Sequence, residues 1–510
     1  MKILDCTLRD GGYYTNWDFS SAIVDSYIKA MNMLPIDYLE VGYRNNPSNE
    51  YLGKFGYTPI SVLTHIRETC VKKLAVMLNE KNTRPEDLGR LLAPIQGLAD
   101  MVRIAIDPKN IDRAIVLAKA VKGMGFEVGF NVMYMSRWAE VDGFLPKLKE
   151  INGIADLFCM VDSFGGITPM EVKTTLAEIR KYTNVPVGFH GHNNLQLGLI
   201  NTLTAIENGI DYVDATITGM GRGAGNLEME LLLAFLNKHN GLDVNFNVLG
   251  DVITAFAPLK EKYRWGTNLP YMLSGANNIP QKEVMEWVTN RVYSFNSIVR
   301  ALDNRKNHAE DNAHFPLLEG GKKFDCIVIV GGGDNAVEHG DAIKAFIASR
   351  PRTAMVFATA RHAKAYQDVE VPKYYCLVGN EGHRLTRNVD ADKFAGICVL
   401  PPYPRTMGTE VPAFATKSTF ELERVDFIDR YKDSVTTIAL QLAMDLTDKN
   451  IYVVGYDGYP GNVLSEKEVS LTNENKTIFE AFATTKGSAL KSLTPSIYKE
   501  LEVESVYQFI

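Results

Sequence analysis

The chain has 510 residues, 46% hydrophobic and 23% charged, with a formal net charge of −7. That length exceeds the roughly 250–300 residues that one core fills and predicts two or three domains, while the acidic balance supplies no overall field for polyanions, so nucleic acid is not an expected partner. There is no run of about 18 apolar residues for a membrane span and no signal-peptide order at the N-terminus, and the six cysteines stand singly without CxxC spacing. The expectation is a cytoplasmic protein with reduced core thiols and no membrane contact.

From the N-terminus to about residue 240, short apolar runs alternate with amphipathic stretches of helical period. The runs read KILDCTL, YLEVGY, KLAVML, MVRIAI, EVGFNVM, LFCMVD, VPVGFHG and YVDATIT. Eight strands, each followed by a helix, predict a parallel sheet whose economical closure is a (β/α)8 barrel; an open doubly wound sheet is the alternative. Residues 241–319 carry helical spacing and no clear strand, and predict a helical extension. The polar stretch LEGGKKFD then marks a boundary, after which CIVIVGGGDNAVEHGDAI, RTAMVFATA, KYYCLVGN, AGICVLPP and NIYVVGYDG predict a Rossmann-like α/β domain over 320–510.

Polar residues in the first eight runs collect at the C-terminal ends, where barrel enzymes place their chemistry: Arg9, Asp10, Glu40, Asp162, His190 and His192. His190 and His192 are two apart on a strand, so both imidazoles point to one face, about 7 Å apart along it. Such a pair is either packed core or a chelate for a divalent metal. Asp10 from the first run and Asn226 from the loop after the eighth bring further ligand types to the same mouth, leaving open positions for substrate on a Mg- or Mn-like ion. Arg9 is either the counter-ion of Asp10 or, with the metal, the stabiliser of an enolate oxygen. Gly11 and Gly12 would let the backbone approach a ligand. Glu40 either holds Arg9 or is a plain buried partner.

TLRDG, LEVG, DSFG, HGHNNLQLG and GRGAGNLEME, in that order, resemble the metal-dependent pyruvate aldolases and lyases, a superfamily that includes 4-hydroxy-2-oxovalerate aldolase, 3-hydroxy-3-methylglutaryl-CoA lyase and the isopropylmalate and homocitrate synthases. The likeness covers roughly residues 1–280. It implies Mn or Mg held by Asp10, His190 and His192, with Asn226 a further ligand in the CoA-lyase branch, and Arg9 polarising the keto oxygen of pyruvate or its enolate. Three departures stand out. Tyr13 occupies the position where the aldolases carry a histidine base; GMGRGAGN lacks the cysteine of the CoA-lyases; and LRDGGY replaces the LRDGEQ of the synthases. The aldolase branch is nearest, with Tyr271 of the extension matching an aldolase tyrosine.

The expected activity is therefore a carbon–carbon lyase that cleaves or forms a 4-hydroxy-2-oxo acid from a 2-oxo acid and an aldehyde through a pyruvate enolate held on the metal. The expected assembly is a homo-oligomer, taken as a dimer. The alternatives are a Claisen-type synthase using an acyl-CoA, and a bifunctional protein whose C-terminal domain handles a nucleotide or sugar-phosphate. For the latter, Gly331, Gly333 and Ala336 fit the G-x-G-x-x-A form of a dinucleotide loop, although the acidic residue expected at the end of the next strand is missing.

Overall fold

A computed structural model describes residues 1–49, 51–289, 295–309, 313–405, 408–459 and 466–510. The chain divides into two compact units, Met1–Glu286 and Trp287–Ile510. The stretch 241–319 therefore contributes to both, and its positions 290–294 and 310–312 lie outside the described residues.

In the first unit, β1 (Lys2–Asp5), β2 (Tyr38–Tyr43), β3 (Lys73–Asn79), β4 (Met101–Ile106), β5 (Glu127–Val132), β6 (Leu157–Asp162), β7 (Val187–Gly191) and β8 (Tyr212–Ala215) pair in parallel and in chain order. β8 closes on β1 with Lys2 opposite Tyr212, and this is the expected closed barrel. Strand periodicity sorts the side chains into two layers. Val102, Ile104 and Ile106 face outward into the apolar layer under the helices, while Leu4, Cys6, Ala75, Met101, Leu157 and Cys159 fill the interior with Tyr38 and Tyr212. Returning helices start at local signals: Ser20 accepts from the Ile23 amide, and Thr168 with Glu171 forms a capping box before Pro169. The residues beyond 241 add the helices Phe246–Tyr263 and Leu269–Ala276 to this unit.

Among the described residues the second unit carries one parallel sheet of eight strands. These are β9 (Cys326–Val330), β10 (Thr353–Phe357), β11 (Lys373–Cys376), β12 (Ile397–Leu400), β13 (Thr419–Glu421), β14 (Asn450–Val454), β15 (Leu490–Ser492) and β16 (Leu501–Val503). The order β13-β12-β11-β10-β9-β14-β15-β16 reverses direction between β9 and β14, as doubly wound sheets do. All six cysteines of the chain are buried and free. Among the described residues no helix is long and apolar enough to cross a membrane.

Candidate active site

The interior of the barrel carries a band of charge above its apolar floor. Arg103 on β4 is fully buried and donates from Nη2 to Asp214 Oδ2 on β8 at 2.7 Å and from Nε to Asn131 Oδ1 on β5 at 2.7 Å. Its Nη1 lies 3.4 Å from Glu40 Oε2 on β2, which also accepts from Arg9 Nε at 2.8 Å. Gly129 on β5 makes room for this arginine, because a Cβ there would stand 2.9 Å from Arg103 Cγ. Arg9 pairs in turn with Asp10. Asp10 Oδ2 lies 3.4 Å from His190 Nε2, and His190 Nδ1 donates to Asp214 Oδ2 at 3.0 Å. Arg9, Asp10, His190, Asp214, Arg103 and Glu40 thus close a ring of buried charges contributed by four strands and the turn after β1. Sequence reasoning left Glu40 open between two roles; it holds Arg9 and braces Arg103 as well.

Arg9 and Asp10 stand on a single helical turn, Thr7–Asp10, that starts directly after β1. Thr7 draws this turn against the β8 loop by accepting from the Ile217 amide at 2.8 Å. The expectation that Gly11 and Gly12 admit a ligand is corrected here. A Cβ on Gly11 would lie 2.6 Å from Met220 Sδ and one on Gly12 2.0 Å from Trp17 Cδ1, so both glycines admit protein side chains. Trp17 also donates to the Arg9 carbonyl at 2.9 Å.

His190 is the penultimate residue of β7 and His192 follows the strand, with ring centroids 5.0 Å apart. His192 Nδ1 donates to the Asp162 carbonyl at 2.6 Å. Both imidazoles therefore spend Nδ1–H on protein acceptors, and His190 Nε2 faces the Asp10 carboxylate. That is the tautomer that metal-binding histidines adopt when an outer acceptor fixes them. Ligand atoms of Asp10, His190 and His192 all lie within 4.8 Å of one another. Cys6, His190 and Asp214 form a second such group deeper in the barrel, but there His190 offers the nitrogen already turned to Asp214. Asn226 donates from Nδ2 to Asp10 Oδ2 at 2.7 Å, and its Oδ1 is buried with no hydrogen-bond partner among the described residues. Two imidazoles and a carboxylate make a donor set that suits a divalent ion, and the partnerless amide oxygen fits it.

The electrostatics follow from this packing. Burial favours the neutral form of Asp10, but Arg9 and His190 outweigh it and hold the carboxyl well below the usual carboxylate range. Burial also works against a charged His190, which Asp10 and Asp214 nevertheless raise to about 9. Burial and the neighbouring His190 lower His192 to about 4.

Tyr13 lies at the same mouth, its hydroxyl 3.1 Å from that of Tyr43 and its ring under the Arg222 guanidinium at 3.8 Å. Tyr271 is buried on the helix Leu269–Ala276 with its hydroxyl toward that of Tyr14; a Cβ on Gly223 would stand 3.2 Å from its Cε1, which places it against the β8 loop. No contact of Tyr271 with Asp10, His190 or His192 is present among the described residues. Arg103, Asp214, Asn131, Tyr43 and Arg222 were not singled out from the sequence. The available signal was a lone charge inside an apolar strand, Arg103 in MVRIAI and Asp214 in YVDATIT.

In the second unit Gly331, Gly333 and Ala336 do follow a strand, but the helix that contains Ala336, Asn335–Glu338, is a single turn. A Cβ on Gly331 would meet the Gly455 carbonyl at 2.5 Å, and one on Gly333 the Asp457 carboxyl carbon at 2.4 Å. Asp457 Oδ2 accepts from the Asn335 amide at 2.9 Å. The amide that a phosphate would use is satisfied by a carboxylate, whose charge opposes a second anion.

The HMGL-like family model matches residues 101–253, which span β4 to β8 and the histidine pair. A 4-hydroxy-2-oxovalerate aldolase of Thermomicrobium roseum is 34% identical over 252 residues, 48% of this chain and 69% of that protein. The chain belongs to the HMGL-like aldolases and lyases. A Chloroflexus aurantiacus 4-hydroxy-2-oxovalerate aldolase is 32% identical over 51% of this chain and 76% of its own. The crystal structure of the N-terminal domain of a candidate aldolase from Bacteroides vulgatus is 78% identical, covering 59% of this chain and all of that one at a TM-score of 0.57. This HMGL-like aldolase is accordingly a carbon–carbon lyase whose family likeness resides in the barrel unit.

Proposed function

We propose that the barrel cleaves or forms a 4-hydroxy-2-oxo acid with the help of a divalent ion, manganese or magnesium, held by Asp10, His190 and His192 with Asn226 beside them. The observation that carries this reading is the pair of imidazoles that spend Nδ1 on Asp214 and on the Asp162 carbonyl, leaving both Nε2 atoms with Asp10. Aldolase relatives named for 4-hydroxy-2-oxovalerate support the substrate class.

When bound, the ion supplies a Lewis acid for the 2-oxo group. Arg9, fixed by Glu40, offers its guanidinium to the same oxygen as negative charge grows there. In cleavage the 4-hydroxyl loses its proton and the C3–C4 bond breaks. Its electron pair passes to the oxo-acid fragment as the enolate of pyruvate, and C4 becomes the carbonyl of the released aldehyde. The enolate then takes a proton at C3. Tyr13, in hydrogen-bond contact with Tyr43, is the proton donor in this reading: its phenol gives the enolate the proton at C3 and is restored by the proton that the next 4-hydroxyl loses.

The test follows the methyl protons of pyruvate in deuterated water with Mn²⁺ and no aldehyde or acyl-CoA. Exchange is the expected outcome. Exchange that appears only with an acyl-CoA transfers the reading to a Claisen-type synthase, and no exchange under any of these conditions overturns it.

A further inference from the structure

Arg222 is a cation without an anion. Its guanidinium stacks on Tyr13 and, among the described residues, has neither a carboxylate within ion-pair distance nor a hydrogen-bond acceptor. The groups near enough to act on it electrostatically are Tyr13, Tyr43, Asp10 and Tyr134, and Asp10 is already committed to Arg9, His190 and Asn226. The side chain is partly buried, and the Tyr13 ring gives it a cation–π contact but no hydrogen-bond acceptor for its N–H groups.

The backbone that carries it is fixed. Gly225 donates to the Arg222 carbonyl at 3.1 Å, Tyr14 donates to the Gly223 carbonyl at 3.0 Å, and Trp265 donates to the Thr218 carbonyl at 2.9 Å. Thr218 sits at φ 55°, a left-handed backbone that this bracing maintains. The cation is held in advance where a ligand arrives.

A count of charge says what it awaits. In the ring, with His190 neutral as a metal ligand must be, the carboxylates of Asp10, Glu40 and Asp214 outnumber Arg9 and Arg103 by one. A divalent ion together with the carboxylate of one 2-oxo acid brings that set to neutrality. Arg222 then remains one positive charge in excess.

We propose that Arg222 binds an anionic group, a carboxylate or a phosphate, on the aldehyde partner, so that the acceptor class is anionic aldehydes rather than short neutral ones. This rests on the aldolase reading above and names the substrate for the same site.

The experiment compares propanal, succinic semialdehyde and glyceraldehyde 3-phosphate as acceptors with pyruvate and Mn²⁺. Wild-type enzyme favours at least one anionic aldehyde over propanal by about 30-fold or more in kcat/KM, and Arg222→Gln collapses that ratio while Arg222→Lys keeps part of it. The carboxylate and phosphate arms identify which anion is used. Calorimetric titration of metal-stripped wild type with succinate and with glycerol 3-phosphate supplies a readout apart from turnover: one of them binds, and Arg222→Gln weakens it about 30-fold or more. Preference for propanal, or an Arg222→Gln effect that raises the KM for pyruvate equally with every acceptor, overturns the inference. Pyruvate exchange that persists in wild type alongside such a result leaves the aldolase reading standing; loss of exchange removes both.

Discussion

His190 Nδ1 meets Asp214 Oδ2 at 3.0 Å, and the same oxygen accepts from Arg103 at 2.7 Å. One carboxylate thereby fixes a candidate metal ligand and neutralises the buried arginine of the barrel interior. Asp214→Asn removes the charge with little change of shape. We expect Mn²⁺ affinity, measured by calorimetry, to fall about 10- to 100-fold, the usual effect of losing an outer acceptor. Unchanged affinity with a normal fold would separate Asp214 from the metal.

Arg103→Met is a stability experiment. It strands Glu40 and Asp214 as buried carboxylates without their common cation, and breaking one side of a buried pair costs about 3–5 kcal/mol. Urea unfolding of the metal-free protein should show this loss. A change below about 1 kcal/mol would mean that the ring is not coupled as its distances indicate.

Metal binding should register as thermal stability. Saturating Mn²⁺ at about 100 times its Kd adds about 2.7 kcal/mol to a folded state that alone binds it. The midpoint of unfolding should rise accordingly in wild type, fall back with EDTA, and fail to rise in Asp10→Asn. A rise of equal size in Asp10→Asn would place the ion elsewhere.

Arg9→Lys keeps a positive charge but loses the fork that Glu40 holds through Nε. Pyruvate exchange should slow about 10²- to 10³-fold, the scale of losing one preorganised donor to an oxyanion. Mn²⁺ affinity should stay within a few-fold. Parallel loss of both would reassign Arg9 to holding Asp10.

A pH effect is expected from Asp5, which ends β1. Burial, partly offset by Tyr27 and Thr7, raises its carboxyl to about 6 from an ordinary 3.8. An acid raised on folding binds its proton more tightly in the native state, so its contribution to stability grows as pH falls through about 6 and levels off near 3.8. Asp5→Asn should flatten the stability profile between those limits, as read from urea midpoints. An identical slope in both proteins would assign the effect to another group.

How far the sequence could be read depends on the range of the forces involved. The barrel was legible because period-2 and period-3.6 patterns are local consequences of backbone geometry, repeated eight times. Short strands of the second unit such as Thr419–Glu421 and Leu490–Ser492 were not, since three residues carry no period. Asp10, His190, His192 and Asn226 were legible by residue type at strand ends, and the structure brings all four together. Tyr271 lies against the β8 loop that carries Arg222 and Asn226, and the glycines at 11, 12, 331 and 333 face side chains or backbone rather than an open ligand space.

The sequence by itself determined the alternation of strands and helices, the end of the barrel that bears chemistry, and the residue types gathered there. Only the tertiary structure decided the partners: that Arg103, Asp214 and Glu40 close a ring beneath the histidines, that each imidazole spends its Nδ1 on the protein, and that Arg222 is left without an anion. The reason is physical. Periodicity acts between neighbours in the chain, whereas the pairing of buried charges depends on residues as far apart as Arg103 and Asp214, 111 positions, meeting across the closed sheet.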